Sequence, residues 1–146
     1  MRTFVIVDLD GTLSDSFYRE EVKPDWDAYH AASINDAPLG DMADIIKTLS
    51  VDNTIIAMTA RPEKWRTVTM AWLLRNEIPI SELLMRPMDD WRSVPEVKMA
   101  LAVSRFGGTE QIRDNVLFIV DDREDVVQAF AGIGVTALLA YSRRGD

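Results

Sequence analysis

The sequence predicts a three-layer α/β fold, with helices covering both faces of a five-stranded parallel sheet. Two observations predict it. Short runs rich in β-branched residues alternate with segments of helical periodicity, as βαβ units require. Three of those runs end in a polar residue, Asp8, Thr59 or Asp121. The carboxyl ends of parallel strands are where such folds build their sites.

The strands are expected at residues 4–8, 54–59, 83–86, 116–121 and 136–141. Helical spacing fits 41–49, where Met42, Ile45, Ile46 and Leu49 share one face. A helix over 62–76 would open on Pro62 and repeat Trp65, Val68 and Trp72, with Trp65 and Trp72 facing the core. One over 94–106 stops at Gly107-Gly108, and one over 124–131 is closed by Gly132 and Gly134. The long mixed stretch 13–39 is expected to be a flap with a short helix near 26–32. No repeat, low-complexity tract or linker interrupts the chain, so residues 1–146 are expected to form one domain.

Composition narrows the chemistry. Apolar residues make up 47% of the 146, enough for a sizeable core. There is no cysteine, which excludes a disulfide scaffold and a thiolate metal site and suits a cytoplasmic protein. Met1-Arg2-Thr3 runs straight into the apolar residues 4–7, too few for a signal sequence or membrane span. The formal net charge of −8 weakens general attraction to polyphosphate, although a local basic pocket can sit on an acidic body.

Four stretches carry chemistry. In Val7-Asp8-Leu9-Asp10-Gly11-Thr12-Leu13, two carboxylates follow a strand and a glycine lets the chain turn. One carboxylate can attack phosphorus while the other handles the leaving-group proton. In Thr59-Ala60-Arg61-Pro62, a strand-end hydroxyl followed by helix-start amides would cradle phosphate. Lys98 can neutralise phosphoryl charge. Asp121-Asp122 offers adjacent oxygen ligands of the kind magnesium takes. Each stretch alone has a plain structural explanation: solvated acids, an N-cap threonine, a surface lysine, an acidic loop.

Their succession is what discriminates. Asp-x-Asp-Gly-Thr, then Thr, then Lys, then Asp-Asp resembles the motif order of the haloacid dehalogenase superfamily of phosphotransferases over nearly the whole chain. The resemblance implies a Rossmann-like fold in which Asp8 attacks phosphorus and forms an aspartyl-phosphate. Asp10 would protonate the leaving oxygen and then activate water. Thr59 and Lys98 would hold phosphoryl oxygens. Magnesium would be bound by Asp8, the backbone carbonyl of Asp10, and Asp121 and Asp122, either of the last two being the direct ligand. A neighbouring carboxylate and partial burial are expected to raise the Asp10 pKa, favouring its acid form.

The gaps after the first and second motifs hold no large cap domain, only the flap, so an open site for bulky substrates is expected. The chain is also similar to the 3′-phosphatase domain of phage-type polynucleotide kinase/phosphatase. Arg19 follows the nucleophile turn, Arg61 follows the motif threonine, and Val120-Asp121-Asp122-Arg123 precedes Gly132-Ile133-Gly134-Val135. Ala60 departs from the glycine of that pattern. The similarity implies that Arg19 and Arg61 bind phosphate and that the substrate is a phosphorylated nucleic-acid end. No Gly-x-x-x-x-Gly-Lys-Ser/Thr loop occurs, so no fused kinase half is expected. Trp26, Tyr29 and Trp91 are expected to pack the flap onto the core rather than stack on a base, and His30 to be structural. The rival substrate class is free nucleoside monophosphates. A phospho-receiver domain uses similar groups but places its acidic pair first and its lysine last. An inactive binding relic is disfavoured because every key group is present.

Overall fold

The computed structural model describes residues 1–141. Five strands, β1 (Phe4–Val7), β4 (Thr54–Pro62), β5 (Glu82–Arg86), β6 (Val116–Asp121) and β7 (Ala137–Leu139), form one sheet in the order β5-β4-β1-β6-β7. Every neighbouring pair is parallel. This is the expected three-layer α/β architecture.

Side chains alternate between the two faces of a strand, so each strand feeds two cores. On one face Val5, Val7, Ile55 and Ala57 pack with Ala43 and Ile46 of α2 (Gly40–Leu49) and Trp72 and Leu73 of α3 (Arg66–Arg75). On the other, Ile6, Ile56, Met58 and Ile119 meet three helices: α4 (Val94–Phe106) through Ala102, α5 (Thr109–Asn115) through Ile112, and α6 (Glu124–Gly132) through Val126 and Phe130. Each fully buried side chain of this size contributes about 1.5–3 kcal/mol.

The flap carries α1 (Trp26–Ala31) and a short antiparallel ribbon of β2 (Ser14–Asp15) and β3 (Ala37–Pro38). It is fastened to α3, since the Trp72 indole Nε1 donates to Asp36 O at 2.8 Å and Arg75 donates to Ile34 O at 3.1 Å. Among the described residues no helix is long and apolar enough to cross a membrane.

The helix expected from Pro62 starts later. β4 continues through Pro62, a 3₁₀ turn occupies Glu63–Trp65, and α3 begins at Arg66. Proline disfavours the α conformation in the residue before it, so Arg61 stays extended. The last strand is shorter than the expected 136–141.

Candidate active site

The strand order brings the motifs together. β1 and β6 pair with Val7 opposite Val120, so Asp8 and Asp121 leave the sheet side by side. Lys98, in the second turn of α4, reaches both. Its Nζ donates to Asp8 Oδ1 at 2.8 Å and to Asp121 Oδ2 at 2.5 Å. Burial alone would lower the lysine pKa, but Asp8 and Asp121 more than reverse that, so the ammonium stays charged. Asp121 Oδ1 accepts from the Arg123 backbone N–H at 2.9 Å.

Asp122 completes the acidic group. Oxygens of Asp8, Asp121 and Asp122 lie within 4.8 Å of one another. Burial, and then the Asp8 charge, push Asp121 and Asp122 above the ordinary carboxylate range. Three carboxylates therefore share one ammonium. Hard oxygen donors with surplus negative charge at this spacing fit a small divalent cation. Gly11 makes the approach possible. Its φ of +82° belongs to the left-handed region, and a Cβ there would collide with Asp122 Oδ2. Thr12 Oγ1 donates to Asp8 Oδ2 at 3.1 Å and fixes the carboxylate plane.

Asp10 lies in a second cluster. Arg61 grips it with Nε to Oδ2 at 3.1 Å and a terminal nitrogen to Oδ1 at 2.7 Å, and Arg19 donates to the same Oδ1. Burial pushes the Asp10 pKa up, but Arg61 and Arg19 overturn it and hold the carboxyl well below its usual range. The expectation that crowding with acids would raise this pKa is corrected here: the neighbours of Asp10 are guanidinium groups. Asp36 anchors the cluster, accepting from Arg19 Nε at 3.0 Å and from a terminal nitrogen at 2.9 Å. Arg19 also donates to Tyr29 O at 3.1 Å, with its guanidinium carbon 4.5 Å from the centre of the Tyr29 ring. Asp36 was not anticipated. One acid in a polar flap carries no local signal.

Thr59 is buried on β4, two residues before the buried Arg61, with an irregularity of the strand register between Thr59 and Pro62. The Arg61 backbone N–H donates to Thr59 Oγ1 at 3.1 Å, which uses the hydroxyl as an acceptor and leaves its proton to donate. The helix-start amides expected just behind Thr59 are not there, because the chain remains extended to Pro62. The Arg61 guanidinium, besides gripping Asp10, donates to Thr69 Oγ1 at 3.2 Å.

The aromatics divide. Tyr29 is buried under Arg19, and Trp26 stands 5.5 Å from Tyr29, centre to centre. Half-buried His30 lies among Trp26, Tyr29 and Trp65, and burial lowers its pKa to about 4. Trp72 lies in the core, and Trp65 packs partly buried against that core. Trp91 departs from expectation. It belongs to the loop after β5, not to the flap, and is 89% exposed.

Residues 2–142 match the family model of the polynucleotide kinase PNKP phosphatase domain. No curated protein matches the chain. Two structures of the Pnkp1/Rnl/Hen1 complex, one described as an RNA repair complex, superpose with TM-scores of 0.80 and 0.79 at 24% and 25% identity. They cover 95% and 94% of this chain, which spans only 42% and 45% of theirs. A haloacid dehalogenase family enzyme from Bacteroides thetaiotaomicron, in complex with magnesium and inorganic phosphate, superposes with a TM-score of 0.62 at 10% identity. It covers 99% of this chain, and 97% of its own length is matched.

Proposed function

Because the chain belongs to the PNKP phosphatase-domain family of haloacid dehalogenase phosphatases, we propose that it removes 3′-phosphates from nucleic-acid ends with magnesium. The observation that supports the chemistry best is the convergence of Asp8, Lys98, Asp121 and Asp122 on one point, beside an arginine-bound Asp10. The setting proposed is cytoplasmic, in keeping with the absence of cysteine.

Asp8 attacks phosphorus and the bond to the leaving 3′ oxygen breaks. Asp10, ionised while the arginine pair holds it, takes up a proton from solvent as phosphoryl oxygens draw that pair away, and delivers it to that oxygen. The product is an aspartyl-phosphate on Asp8. Asp10 then takes a proton from water, which attacks phosphorus and frees Asp8 and inorganic phosphate. The arginine pair holds the ionised form of Asp10 that this second step requires. Thr59, Lys98, Arg19 and Arg61 are the donors for phosphoryl oxygens, guanidinium forks being well matched to them. Magnesium held by Asp8, Asp121, Asp122 and the Asp10 carbonyl would supply positive charge against the phosphoryl oxygens.

One observation favours a second reading. The net charge of −8 suits free nucleoside monophosphates better than a polymer. A side-by-side panel separates the two: oligonucleotide 3′- and 5′-phosphates, mononucleotides and phosphopeptides, each with magnesium. The 3′-phosphorylated oligonucleotide is expected to turn over fastest, at a rate that falls as salt rises. Preferred turnover of mononucleotides would reverse the assignment. Asp10→Asn is expected to slow hydrolysis and let acid-stable label accumulate on the protein; wild-type rates in that variant would remove Asp10 from the mechanism.

A further inference from the structure

We propose that Trp91 is a stacking platform for a nucleobase next to the scissile phosphate, an inference that rests on the nucleic-acid reading of the site. Trp91 is 89% exposed, and Met88 in the same loop is also exposed. A lone exposed apolar side chain is ordinary on a protein surface, so the case for this one rests on how its loop is held.

This loop is tied down instead. Arg86 at the end of β5 donates to Asp90 O at 3.0 Å and Arg92 O at 2.8 Å, bracketing Trp91 on both sides. Arg92 pairs with Asp90 at 2.7 Å, and the Asp90 N–H donates to Pro87 O at 3.3 Å. Asp89 turns the chain with a positive φ of 61°. The indole is therefore held out by a braced loop.

Both ends of the loop are fixed to the candidate active site. Arg86 Nε donates to Ala60 O at 3.0 Å, and Ala60 lies between Thr59 and Arg61. At the other end Ser93 caps α4, the helix whose Lys98 holds Asp8. Five residues separate that cap from Lys98, about 7.5 Å along the helix axis. Along a stacked strand successive nucleotides advance by about 3.4 Å, so a base two positions from a phosphate at Asp8 reaches about that level. The flap is fastened to α3 through Trp72, and the loop runs into α4 through Ser93.

Charge explains why stacking matters. A chain of net charge −8 gains little from general attraction to a polynucleotide, and a base presents an uncharged π-face that an exposed indole can hold.

The test compares two short oligonucleotide 3′-phosphates, one with normal bases and one abasic at its two 3′-terminal positions. Wild-type protein with magnesium is expected to favour the base-bearing substrate in kcat/KM by about tenfold, mainly through KM. In Trp91→Ala that ratio falls to about one, and in Trp91→Phe most of it is retained. An unchanged ratio in Trp91→Ala overturns the proposal. So does an equal loss on both substrates accompanied by a lowered melting temperature, which marks a structural role. If wild-type protein turns over both oligonucleotides equally, stacking alone fails. If it turns over neither but cleaves a chromogenic phosphate ester, the nucleic-acid reading fails, and stacking with it.

Discussion

Asp8→Asn is expected to reduce phosphatase turnover by about 10⁴-fold or more while leaving the fold intact. The loss is large because an amide oxygen cannot replace the carboxylate as the attacking group, and no other acid occupies its position between Lys98 and Thr12. Stability is preserved for local reasons. The asparagine carbonyl can still accept from Lys98, its NH₂ can donate to the Thr12 hydroxyl, and Lys98 keeps Asp121 as a partner. Removing one of three crowded negative charges offsets the weaker contact with the lysine. Turnover of a 3′-phosphate substrate and a thermal melt check both halves. Near-wild-type turnover would end the nucleophile assignment, and a collapsed melt would mean that Asp8 is needed for structure.

Lys98→Met is expected to damage both stability and activity. The lysine is the one cation bonded to Asp8 and Asp121 among the described residues. Without it the acidic group has no compensating charge. Breaking such a buried pair typically costs about 3–5 kcal/mol, roughly a 10 °C drop in melting temperature for a domain of this size. Loss of an electrostatic donor to the reacting group should lower kcat by about 10²–10³-fold as well. Millimolar magnesium is expected to raise the melting temperature of this variant more than that of the wild type, since the ion would replace the missing charge. The absence of a shift in both proteins would count against a cation site among Asp8, Asp121 and Asp122.

The parts legible in the sequence are those with a long apolar signature. β1, β4 and β6 announce themselves by continuous runs ending in Asp8, near Thr59 and in Asp121. α4 has a capping serine at one end and Gly107 with φ +102° at the other, and its limits match expectation. α5 went unread because it is seven residues long and buries only Ile112, too little to show a period. Pro62 misled because proline serves equally at a helix start and at the end of an extended segment. At the site, residue types and their order identified the acids, Thr59 and Lys98, but not who binds whom. That Arg19 and Arg61 meet on Asp10, and that Asp36 holds Arg19, depends on a flap whose course no local pattern encodes.

The fastening of that flap has a kinetic corollary. Leu39 N–H to Leu13 O at 2.8 Å joins its two ends, the Trp72 indole pins it at Asp36, and buried Arg19 ties its first half to Asp36 at 2.9 Å. A segment tied at both ends and to α3 is expected to stand as a wall and not to swing as a lid. On the proposed function, esters would then be sorted at the doorway by shape and polarity before any commitment, and product would leave by the path along which substrate came.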